Sequence, residues 1–131
     1  MRFLSIYKSV ETNTPPSAEH MAKMGKLVED GMKAGWLLAT EGCLPTAMGA
    51  RVRRTGNKTT VGSGPFADSK EVTGGFAILQ AKSREEAIEL TKSFLALAGD
   101  GECEIRQLYT PGDEHAGCGT AAELTEQFAR A

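Results

Sequence analysis

Two amphipathic helix patterns set among strand patterns constrain this chain more than any other feature. In the first, Ala18, Met21, Met24 or Gly25, Val28 and Met32 recur at three- and four-residue steps down to Gly35, the spacing that collects apolar side chains on one helix face. Thr14 or Ser17 supplies a cap, the prolines nearby suit a first turn, and Gly35 supplies a stop. In the second, Ser83-Arg84-Glu85-Glu86 is a capping box, and Ala87, Leu90, Thr91, Phe94, Leu95 and Ala98 carry the stripe to Gly99.

The strands follow from a period of two. Arg2 to Tyr7 sets Phe3, Ser5 and Tyr7 on one face and Leu4 and Ile6 on the other. Trp36 to Ala39 is a short strand, after which Glu41-Gly42-Cys43-Leu44-Pro45 reads as a turn with its carboxylate just beyond the strand. Ala50 to Arg54 and Lys58 to Val61 flank Thr55-Gly56-Asn57 and form a hairpin. Phe76 to Ala81 is apolar on both faces, and Glu102 to Tyr109 alternates charged residues with Cys103 and Ile105. The order β-α-β-β-β-α-β predicts an α+β fold: a ferredoxin-like split β-α-β sheet with both helices on one face and a hairpin insertion. The bare sheet face then needs a cover, which predicts a homodimer with a cleft between sheet and helices or at the interface.

At 131 residues and 40% hydrophobic content, residues 1–110 make one domain and 111–131 an extension, a loop followed by a short capped helix at Thr120 to Glu123. The formal net charge of −2 argues against a nucleic-acid partner, and the absence of a long apolar run argues against a membrane span, so the expected location is cytoplasmic. Cys43, Cys103 and Cys118 lack paired spacing and read as free thiols. Asp113, Glu114, His115 and Cys118 lack a second His or Cys at ligand spacing, so no metal and no cofactor is expected.

The stretch Gly62-Ser63-Gly64-Pro65-Phe66-Ala67-Asp68-Ser69-Lys70-Glu71, followed by Gly74-Gly75-Phe76, puts a stiff charged turn ahead of a buried strand. With Trp36 to Ala39, Glu41 to Pro45, Ala50 to Arg53 and Glu104-Ile105-Arg106, it resembles the YCII-related (DGPF-domain) family of small bacterial proteins. That resemblance implies a dimeric α+β barrel and a suspected enzymatic role, with no reaction established for the class. It also implies an association with sigma-factor-like regulators, which opens a protein-interaction alternative. The family's signature acid before Gly-Pro-Phe is Ser63 here, and serine can bond its own turn but hardly act as a base. His20 lies in the first helix, where the resemblance to shorter YCII proteins implies a catalytic histidine. Its spacing to Gly35-Trp36 is about a turn longer, and it reads as an exposed first-turn residue.

Glu41, Asp68 and Glu71 are the candidates for proton transfer, Glu41 by virtue of a semi-buried position between sheet and helix. Arg53, Ser63, Phe66 and Lys70 are the candidates for holding a substrate, with Arg53 or Lys70 steadying an oxyanion. The ordinary alternative for the loop charges is a solvated turn with one salt bridge to a hairpin arginine. Arg51, Arg53 and Arg106 equally suit pairing with Glu102 and Glu104. These residues support either a cofactor-free enzyme acting on a small organic acid or carbonyl compound or a binding module without chemistry.

Overall fold

The computed structural model describes residues 1–12 and 14–110. The expected tail helix and the Asp113 to Cys118 cluster lie outside the described residues. Strand β1 (Arg2–Ser9) leads into helix α1 (Ala18–Ala34) and strand β2 (Leu37–Gly42), then a 3-10 turn (Thr46–Met48). Strands β3 (Ala50–Thr55) and β4 (Lys58–Ser63) form the hairpin, and β5 (Val72–Gln80), α2 (Arg84–Ala98) and β6 (Glu102–Gln107) complete the domain. The four long-range strands form an antiparallel sheet in the order β2-β5-β1-β6, and β3 and β4 pair only with each other. This is an α+β architecture whose strand order is compatible with the ferredoxin-like expectation.

Both helices are capped as their sequences require. The Ser17 hydroxyl accepts from the amide of His20 and the Ser83 hydroxyl from that of Glu86, each bond 3.1 Å. Gly35 ends α1 at φ +85°, a left-handed conformation that costs glycine nothing, and donates its amide to the Gly31 carbonyl.

The helices lie on the sheet face that carries Phe3, Leu37 and Leu79. With Ala81 and Ala87 these residues form the buried core, joined by Val28 and Trp36 from the α1 side and Leu90 from α2. Tyr7 extends this face, its ring meeting Phe94 of α2 edge-on at 5.4 Å between centroids. The opposite face follows from the cross-strand register. Leu4 faces Ile78 and Ile6 faces Phe76, and on the β6 side Ile6 faces Glu104. No described helix covers this side, and Phe76 is exposed there.

Two boundaries differ from the sequence reading. Strand β5 begins at Val72, four residues earlier than the apolar run, because Gly74 and Gly75 continue the ladder instead of ending it. A Cβ on Gly75 would stand 2.8 Å from the Glu41 carbonyl oxygen, so the close approach of β2 requires glycine there. Strand β2 runs on to Gly42, and Glu41 is therefore inside a strand instead of in the turn beyond it. The register slips between Leu37 and Ala39, leaving Leu38 as the extra residue. One such residue reverses the faces of all that follow. Thr40 thus faces the helices, and Glu41 lies opposite Phe76 on the other face, exposed and not semi-buried between sheet and helix.

Candidate functional site

The helix-covered face encloses a cavity of about 500 Å³ between α1, α2 and the sheet. Met24 and Leu27 of α1, Leu90 and Phe94 of α2, and Trp36 and Leu79 give it apolar walls. Its polar groups are few, as in sites that orient a mainly apolar ligand through one end. The Tyr7 hydroxyl donates to the Asp100 carbonyl at 3.0 Å, and the Thr40 hydroxyl donates to the Phe76 carbonyl at 2.9 Å. Both oxygens keep acceptor capacity. His20 is half-buried in this wall, not exposed as its first-turn position suggested. Among the described residues its ring nitrogens have no hydrogen-bond partner. Glu41, Gly42, Gly74 and Gly75 line the cavity where it reaches the end of the sheet.

The signature loop builds a second, more open groove of about 720 Å³ with the 3-10 turn and the ends of β1 and β5. Lys8, Leu44, Met48, Phe66 and Glu71 line it. Here Thr46 organises the backbone. Its amide and hydroxyl donate to the two carboxylate oxygens of Glu11 at 2.6 and 2.7 Å, and the same hydroxyl accepts the Phe66 amide at 3.2 Å. The hydroxyl bond from Thr46, followed by the one from its amide, holds the Glu11 carboxyl below the usual carboxylate range. The Gly64–Pro65 peptide bond is cis, and the Gly64 amide donates to the Gly49 carbonyl at 3.0 Å.

Arg51 closes the other side of the loop. One guanidinium nitrogen donates to both oxygens of Asp68 at 2.8 and 3.1 Å, and the second donates to the Ser69 hydroxyl at 2.7 Å. The guanidinium carbon also sits 3.9 Å from the centre of the Phe66 ring, a cation over an aromatic face. The Arg51 hydrogen bond keeps the Asp68 carboxyl below the usual carboxylate range, a state that suits an ion-pair partner better than a proton acceptor.

The predicted site residues therefore do not converge on one point. Glu41 borders the end of the sheet–helix cavity with its side chain on the opposite sheet face, while Phe66 and Glu71 line the loop groove. Asp68 is occupied by Arg51. Ser63 closes β4 opposite Ala50, Arg53 stands exposed on the hairpin, and Lys70 is exposed beside the loop and lines neither cavity. Arg106 pairs with Glu104, which also takes Lys8 at 3.2 Å. The residues that sequence reasoning passed over are Glu11, Thr46 and Tyr7. Their partners lie 20 to 93 positions away, so no spacing pattern could reveal them.

Among the described residues no three His, Cys, Asp or Glu side chains gather to hold a metal ion, and no helix is long and apolar enough to cross a membrane. Burial raises the Cys103 thiol above its ordinary range, the direction that makes a cysteine inert. Comparison with known proteins gives a match to the YCII-related domain over residues 1–111. One relative, the uncharacterized protein R00369 of Rhizobium meliloti (strain 1021), is 33% identical over 85 residues. That alignment takes in 63% of this chain and 68% of the relative. With the family match running from the first strand to the end of the described fold, this chain belongs to the YCII-related domain family.

Proposed function

We propose that this chain is a small-molecule protein that works as a homodimer, taking a compact, largely apolar acid or carbonyl compound into the sheet–helix cavity. The observation that carries this reading is the composition of that cavity: apolar walls with an uncommitted His20 imidazole, Tyr7 and Thr40 among the lining residues. His20, which lines this cavity, is the group that transfers a proton there, without a cofactor. The homodimer forms when two open sheet faces, each with Leu4, Ile6, Phe76 and Ile78, pack together as a dimeric α+β barrel.

The reading without chemistry has one specific support. Arg51 holds both Asp68 and Ser69 in the family's signature loop, which makes the loop a structural clasp and leaves the Asp68 carboxylate committed to an ion pair. Screening small carboxylic acids and carbonyl compounds by thermal shift, then incubating each hit and following it by mass spectrometry, separates the two. A ligand at about 100 times its Kd adds about 2.7 kcal/mol of stability, which is readily seen. Conversion of a hit that disappears in His20→Gln supports the enzyme. Binding with no conversion supports the module, and no ligand that requires the cavity overturns both.

A further inference from the structure

The hairpin faces the wrong way for a structural insertion. Its strands pair Val52 with Val61 and Arg54 with Thr59 on one face, and Arg51 with Gly62 and Arg53 with Thr60 on the other. The arginine face is the one turned to the protein's own signature loop, through Arg51 on Asp68, Ser69 and Phe66. The valine face is turned away, with Val52 69% and Val61 68% exposed. All twelve residues of the two strands are exposed. A two-stranded ribbon of this kind is marginal in water unless something packs on it.

A second exposed apolar surface is the rim of the loop groove, where Leu44 is 74% and Met48 73% exposed. These two and the valines are the four most exposed large hydrophobic residues described outside the first turns of the fold, and all lie in the one insertion. Charges match as well. Arg54, on the valine face, has no carboxylate partner among the described residues, and Glu71, in the groove, has none either.

We propose that the hairpin is an exchange arm: each copy lays its Val52–Val61 face into the loop groove of a second copy, against Leu44 and Met48, with Arg54 on the partner subunit's Glu71. The inference rests on the homodimer of the preceding subsection and adds the place where the two copies interlock. Six-residue strands give the arm a reach of roughly 17–20 Å, more than the ~10 Å that separates two sheets packed face to face. The arrangement is isologous, since arm meets groove twice under one two-fold axis. It also makes the groove incomplete in a single copy, because its open side is closed by the other chain.

Sedimentation equilibrium on the full chain tests this, with circular dichroism to establish that each variant stays folded. Val61→Glu places a charge at the centre of the contact and is expected to weaken the dimer by about 100-fold or more, in the range of interface hot spots. Arg54→Glu and Glu71→Arg are each expected to weaken it by about tenfold, and the double variant to return to within about threefold of the wild type, as a directly coupled pair must. A wild-type dimer that ignores Val61→Glu, Arg54→Glu and Glu71→Arg but dissociates with Phe76→Glu overturns the arm and keeps the sheet-face dimer. A wild-type monomer at every concentration overturns both.

Discussion

At the scale of single residues, Thr46 does the most for its size. One side chain and its own amide bind Glu11 twice and hold Phe66 once, so the N-terminal segment, the 3-10 turn and the signature loop meet at a threonine. Thr46→Val keeps the shape and removes the hydroxyl, stranding the Phe66 amide and half of the Glu11 contact. The expected loss is about 1–3 kcal/mol, measured by denaturant unfolding. Acid should act on the same joint. Glu11 and Asp68 both hold their protons less tightly when folded than when unfolded. Their contribution is therefore complete above the usual carboxylate range and is lost as the pH falls through and below it. The Tm of Glu11→Gln/Asp68→Asn should accordingly fall less steeply on acidification than that of the wild type, and equal slopes would remove both groups from the account. The sequence pointed to the loop but not to this joint. Ser63 holds the place of the family acid, so it was the natural candidate to bond the turn, whereas Thr46 is brought there only by folding.

At the scale of elements, the signature loop and the 3-10 turn fit backbone to backbone. A Cβ on Gly64 would fall on the Thr46 carbonyl oxygen, and a backbone atom cannot swing aside as a side chain can. Gly64→Ala should cost at least about 2 kcal/mol, at the high end for overpacking, and should release the Phe66 amide to hydrogen exchange. Gly56, in the hairpin turn at φ +60°, makes a useful comparison, because alanine there meets nothing within 4 Å and only the backbone strain remains. The helices were legible because caps and a 3.6-residue period are local properties, and Ser17, Ser83 and Gly35 perform as their positions suggested. The strands around the site were less so. Gly74 and Gly75 look like a break, and they become a strand only because β1 and β2 lie alongside. The extra residue at Leu38 is invisible in a two-residue alternation, and it moves Glu41 to the opposite face.

At the scale of the whole molecule, the fold makes two unequal faces. One is sealed by helices around a thin core in which Phe3 is the largest fully buried side chain, and it leaves a ligand-sized cavity. The other presents half-buried aliphatic residues and the exposed Phe76 beside the Lys8, Glu104 and Arg106 charges. Family and fold class were readable from the signature and the element order; the cavity was not, since it depends on which side chains α1 and α2 leave apart. The proposed site is that cavity. Chemical-shift mapping of the amide spectrum during titration with a thermal-shift hit tests it most directly. Perturbations at Met24, Thr40, Leu90 and Phe94, with Leu44 and Met48 unmoved, are the expected result. Perturbations confined to Lys8, Leu44, Met48 and Phe66 would contradict it and assign the ligand to the signature groove instead.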